Sequence, residues 1–238
     1  MAEARQMRFW EIDALRGIAV LMMITFHFLF DLNYFRGFSI ALSSGFWLVF
    51  ARATLTVFLL LVGISLSLSY SRVKDKLDGS TAAKKYLKRG LRIFCYGLAI
   101  TAVTFAFFPQ GAIWFGVLHC IGISIILAIP VLPRKRTVLV LGIVLILLGV
   151  LLAQFTVSFP WLLWLGFYPA GFYTFDYVPL LPWFGVVLLG LFLGKSFYGN
   201  RKPSEGPKAA GPLNWLGRHS LLIYLIHQPI LVGLLLVF

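Results

Sequence analysis

The stretch Leu15-Arg16-Gly17-Ile18-Ala19-Val20-Leu21-Met22-Met23-Ile24-Thr25-Phe26-His27 sets a guanidinium and an imidazole eleven residues apart in otherwise apolar sequence, and a carboxylate, Asp31, follows four residues later. On a helix turning ~100° per residue, eleven steps bring His27 to within roughly 20° of Arg16, about 16 Å further along the axis. Asp31 lies one turn beyond, about 40° from His27 on the same face. A guanidinium fork suits phosphate or pyrophosphate, although Arg16 could equally snorkel to headgroups beside Asp13. An imidazole with a carboxylate in reach can work as a general base, because the carboxylate orients the ring and stabilises its charged form. A lone histidine on an apolar face is also a common packing residue, and Asp31 could simply neutralise Arg52. At this depth in a membrane helix, however, ionisable groups are costly, and each is a functional candidate.

These residues sit in a chain of 238 residues that is 60% hydrophobic and 12% charged, with mean hydropathy +0.91. That composition predicts an all-α, polytopic membrane helix bundle. Seven spans are expected near 14–32, 46–70, 91–108, 117–132, 137–156, 180–194 and 214–237, within a single domain covering 1–238. The stretch 157–179 is too rich in Pro, Gly and aromatics for an eighth, and reads as an interfacial or re-entrant cap whose Trp161, Trp164, Tyr168, Tyr173 and Tyr177 suit a headgroup belt. The first apolar stretch is long and followed by further spans, so no cleavable signal is expected. Cys95 and Cys120 both fall in spans and read as packing residues.

The net charge of +13 raises the question of nucleic acid, but the cations fall in short clusters between spans and read as topology signals. With the N-terminus on the cytoplasmic side and the C-terminus outside a cell membrane, nineteen of the twenty-one Lys and Arg residues face inward, leaving only Arg36 and Arg52 outside. Arg16 then enters the first helix at the inner face, His27 and Asp31 lie in its outer half, and His227 lies near mid-depth of the last. His119 and Asp176 lie toward the outer side, where Asp176 is also placed to cap the following helix. His227 and Gln228 are polar and followed by Pro229 in an apolar run, which predicts a kink around something. The four histidines are too scattered for a metal site, and no phosphate loop or dinucleotide motif is present.

The Arg16–His27 arrangement, set in Glu11-Ile12-Asp13-Ala14-Leu15-Arg16-Gly17, resembles the opening motif of integral-membrane acyltransferases. It is most similar to short prokaryotic relatives of heparan-alpha-glucosaminide N-acetyltransferase. The resemblance continues through Lys88-Arg89-Gly90-Leu91-Arg92, Phe115-Gly116-Val117-Leu118-His119, Asp176-Tyr177-Val178-Pro179-Leu180-Leu181-Pro182-Trp183 and Leu216-Gly217-Arg218 to His227-Gln228-Pro229. It implies transfer of an acetyl or short acyl group from acetyl-CoA, bound from the cytoplasmic side, to an amine or hydroxyl of a sugar-like or lipid-linked acceptor. His27 and Asp31 become the catalytic candidates, with His27 as base or nucleophile. Arg16, Lys88, Arg89, Arg92 and Arg218 become candidates for the CoA phosphates, and Arg52, His119, Asp176, Trp183 and His227 for the acceptor. No metal is required. The chain is shorter than the lysosomal enzyme, and that enzyme carries Asn at the position of His27 and its His where this chain has Phe38, so a heparan substrate does not follow.

The rival from another class is a proton-coupled transporter or a lipid- or glycan-handling protein using the same buried His, Asp and Arg. It would require transport without CoA consumption, and inverted repeats are not visible. Small-residue faces are compatible with a homodimer.

Overall fold

The computed structural model describes residues 8–199, 201–204 and 206–237. Among the described residues there are eight α-helices: α1 (Trp10–Arg36), α2 (Gly45–Ser71), α3 (Gly79–Phe107), α4 (Val117–Ala128), α5 (Lys135–Leu152), α6 (Leu180–Phe197), α7 (Gly211–Arg218) and α8 (Ser220–Val237). Six of them, α1, α2, α3, α5, α6 and α8, are long and apolar enough to cross a membrane. In lipid the backbone must satisfy its own polar groups, so an apolar chain of this kind spans as helices. The protein is a multi-pass, all-α membrane protein.

Three boundaries differ from the sequence expectation. The third span begins at Gly79 rather than 91, because Asp78 caps the helix by accepting from the Thr81 amide at 3.1 Å. Lys88 and Arg89, ahead of the expected span, therefore lie on α3 together with Arg92. The fourth apolar stretch forms only a twelve-residue α-helix, extended by a 3-10 turn at Ile129–Val131 where Pro130 cannot continue the ladder. The seventh is two helices: α7 starts at Gly211-Pro212, and regular helix is interrupted at His219 before α8.

The chain forms two compact units, one from the residues up to Phe58 with those from Arg201 onward, the other Leu59–Asn200. In the first, α1 packs against α7 and α8. The α1–α7 crossing is so close that a methyl at Gly217 would sit 1.8 Å from the Asp13 carbonyl oxygen, and one at Gly17 would sit 2.1 Å from that of Leu213. Small residues of this kind let membrane helices approach backbone to backbone. Gly37, in the left-handed region, ends α1, and Asn33 closes the following loop by exchanging two hydrogen bonds with the Ile40 backbone.

In the second unit α3 pairs with α4 and α5 with α6. Residues 157–179 form the expected irregular cap, with strands β1 (Thr156–Val157) and β2 (Tyr168–Pro169) pairing in parallel. The cap is tied to the α3–α4 connection: the Val178 amide donates to Phe115, the Phe175 amide to Gly111 and the Thr174 hydroxyl to Ala112. Trp161 and Tyr173 are exposed on it, as a headgroup belt requires.

Candidate active site

Within the first unit, the C-terminal half of α1 and the middle of α8 bring four polar side chains together. Asp31 is 1% exposed and His227 6% exposed. The His27 and His227 ring centres are 4.9 Å apart, edge to face. The Gln228 amide donates to Asp31 Oδ1 at 3.1 Å. Position 229 explains part of this opening: proline has no amide to give to the carbonyl four residues back, which loosens the ladder at the level of the polar pair.

The tautomers follow from the partners. His27 Nδ1 lies 2.9 Å from the Met23 carbonyl and His227 Nδ1 lies 2.7 Å from that of Tyr224. A carbonyl only accepts, so in both rings Nδ1 carries the proton and Nε2 of the neutral imidazole is a bare lone pair. His27 is thus oriented by its own helix and not by the carboxylate: Asp31 goes to Gln228 instead. Among the described residues, Asp31 Oδ2, Gln228 Oε1 and His227 Nε2 are buried without a hydrogen-bond partner. Unsatisfied buried acceptors cost about 1–3 kcal/mol each, which a stable fold tolerates where function uses them.

At the start of α1, Arg16 donates to Asp13 Oδ1 at 3.0 Å and to the Gly217 carbonyl at 3.3 Å, and Arg218 Nε approaches Asp13 Oδ2 at 3.6 Å. Glu11 and Asp13 in the first turn suit the positive end of the helix, and Asp13 holds both arginines at the α1–α7 crossing. Arg201 adds an ion pair to Glu11 at 2.8 Å. Arg218 remains exposed.

His119 and Asp176 meet in the second unit, in a different arrangement. His119, 2% exposed, accepts the Gly116 amide at Nδ1 (3.2 Å) and contacts the Thr101 hydroxyl at Nε2 (3.4 Å), and that hydroxyl donates to the Ile113 carbonyl at 2.5 Å. The ring lies against Gly97, where a methyl would come within 2.9 Å of Nδ1. Asp176 accepts the Val117 amide at 3.0 Å. It therefore caps a helix, but α4, fifty-nine residues earlier, rather than the one that follows it. Burial raises the Asp176 carboxyl to about 6, against the opposing pull of the Val117 amide.

The other expected residues are separate. Arg52 is exposed on α2 and does not pair with Asp31, and Trp183 is half-buried in the first turn of α6. Lys88 and Arg92 are exposed on α3 with Arg89 half-buried between them. Among the described residues no group of three His, Cys, Asp or Glu side chains could hold a metal. The Gln228–Asp31 pair and the approach of the two imidazoles were not predicted. The polar dipeptide before Pro229 was the only signal for them.

The family model described as "Heparan-alpha-glucosaminide N-acetyltransferase, catalytic" matches residues 8–229, which takes in α1 and runs through the polar residues of α8. The chain belongs to this family. No curated protein and no solved structure matches it. Membership makes the protein a membrane acetyltransferase in general terms.

Proposed function

We propose that the protein moves an acetyl or short acyl group from acyl-CoA to an amine or hydroxyl of a sugar-like acceptor, with His27 Nε2 as the working lone pair. The observation that carries this reading is the tautomer: the Met23 carbonyl holds the Nδ1 proton and leaves Nε2 free to take another. In the transfer, Nε2 accepts the proton of the N–H or O–H group as that nucleophile attacks the thioester carbonyl. The C–S bond then breaks, and the imidazolium returns the proton to the departing thiolate. In the covalent variant Nε2 attacks the thioester carbonyl and the C–S bond breaks to release the CoA thiolate; the acceptor then attacks the acetyl carbon, the N–C bond breaks to restore the neutral ring, and the acceptor's proton neutralises the thiolate. Asp31 stabilises the cationic ring through space, and its free oxygen, with Gln228 Oε1 and His227 Nε2, offers acceptors for the donor hydrogens of the incoming nucleophile.

Arg16 and Arg218 are the first unit's candidates for the CoA phosphates, and Lys88, Arg89 and Arg92 are a second basic group on α3. Arg52 and Trp183 stay candidates for acceptor contacts. His119, whose two ring nitrogens are engaged internally, and Asp176, which caps α4, serve the scaffold in this reading. The N-terminus lies on the cytoplasmic side, supported by the excess of cations in the connections before α3, before α5 and before α7.

The test follows free thiol release from acetyl-CoA by the purified protein with amino-sugar and hydroxyl-sugar acceptors, with acetylated product identified by mass. Wild type sustains thiol release beyond one equivalent per protein only with an acceptor present, a single acceptor-independent equivalent marking the covalent variant, and acetyl-CoA raises its unfolding temperature. Accumulation of solute in proteoliposomes without thiol release would replace this reading with transport.

A further inference from the structure

A cavity of about 450 Å³ opens in the second unit, where the α2–α3 turn faces the α4–α5 turn. Ala82, Leu132 and the buried ring of Tyr86 give it an apolar floor, and Tyr70, Lys74 and Arg134 stand in its wall. Two further cations adjoin it. Lys195 places its ammonium 5.3 Å above the Tyr70 ring, and Lys135 lies 5.4 Å from the Phe192 ring. The charges of Lys74 and Lys135 both reach Lys195. Among the described residues none of these four cations has an ion pair. Of the two acids in the α2–α3 turn, Asp78 is engaged with the Thr81 amide, and among the described residues Asp75 makes no ion pair.

Like charges gathered without compensation repel, and an anion seated among them relieves that cost. The volume falls in the range of small-ligand sites. The place narrows the chemistry. The cavity lies where α2 ends and α3 and α5 begin, at the ends of apolar spans, where phospholipid headgroups sit. Basic pockets between membrane helices at this level are suited to phosphate, and an apolar floor beside the charges suits glycerol and the first acyl carbons. We propose that this cavity binds the phosphate headgroup of an anionic membrane lipid, with the phosphate held by Lys74 and Arg134 and steered by Lys135 and Lys195. A nucleotide offers the same phosphate chemistry but no part that the floor would prefer. The inference does not depend on the acyl-transfer reading, since it uses none of that site's residues.

The experiment takes the full chain, delipidated in neutral detergent, and titrates it with phosphatidylglycerol, phosphatidylcholine or adenosine 3′,5′-bisphosphate. Bound lipid is read by native mass spectrometry and binding by the shift in unfolding temperature. Phosphatidylglycerol binds in preference to phosphatidylcholine, and Lys74→Gln with Arg134→Gln together weaken it roughly thirtyfold, from about fivefold for each cation lost. The single variants carry the test if the double variant does not fold, and Lys208→Gln, in the other unit and not a lining residue, leaves the affinity unchanged. Equal binding of the two lipids overturns the proposal, as does undiminished phosphatidylglycerol binding in the variants. Displacement of the lipid by the bisphosphate would reassign the cavity to a nucleotide.

Discussion

Two histidine clusters, one in each compact unit, were both candidates on sequence, and they differ in what their hydrogen bonds leave over. His119 spends both ring nitrogens, one on the Gly116 amide and one on Thr101, while Asp176 takes the Val117 amide. The cluster is closed. His27 and His227 each spend only Nδ1, on backbone carbonyls of their own helices, and Asp31 and Gln228 satisfy one another on one side only. That cluster is open. The two imidazoles are thus set in opposite tautomers by the group facing Nδ1, an amide in one case and a carbonyl in the other. A closed network gives rigidity, and an open one keeps lone pairs for chemistry at some cost in stability.

Substitutions can break this contrast. His27→Ala should remove the largest amount of activity, about 10²–10⁴-fold for a positioned base, with little change in unfolding temperature. A variant that transfers acetyl groups at the wild-type rate would make both clusters structural. Asp31→Asn keeps an oxygen for the Gln228 amide but removes the charge. We expect roughly a tenfold drop in the rate constant, about 1.4 kcal/mol in the barrier, without unfolding. His119→Phe should do the reverse. It strands the Gly116 amide, costs about 1–3 kcal/mol of stability in denaturant unfolding, and leaves the rate of the folded fraction unchanged. A loss of rate without loss of stability would show that the closed cluster also serves the chemistry.

The smallest effect concerns Asp176 and sharpens the contrast through pH. Its carboxyl, raised by burial to about 6, holds a proton more tightly in the folded protein than in the unfolded chain. Stability from this group is therefore complete below about pH 4 and is lost as pH climbs through about 6. Unfolding midpoints measured across that window should fall more steeply for wild type than for Asp176→Asn. Parallel slopes would remove the carboxyl from the balance.

Much of the architecture was legible because it rests on composition. Runs of apolar residues need a helix each, and cations collect between them. The boundaries that went astray were those fixed by caps and breakers rather than by hydropathy. Asp78 starts α3 a dozen residues ahead of the apolar run, Pro130 shortens α4, and Gly211-Pro212 begins a separate α7. The site was legible in part. Arg16, His27 and Asp31 share a helix face by arithmetic alone, and the pairing of Arg16 with Asp13 follows from their spacing of three.

The sequence alone determined that this is a multi-pass helical protein, that costly ionisable groups lie in its first helix, and which family it resembles, since each depends on residues near one another in the chain. Only the tertiary structure decided which partners those groups take. It gave Asp31 to Gln228, set His227 beside His27, and closed His119 with an amide and a threonine. Hydrogen-bond partners across helices are fixed by how backbones approach, through glycines such as Gly17 and Gly217, and no spacing along one helix contains that information.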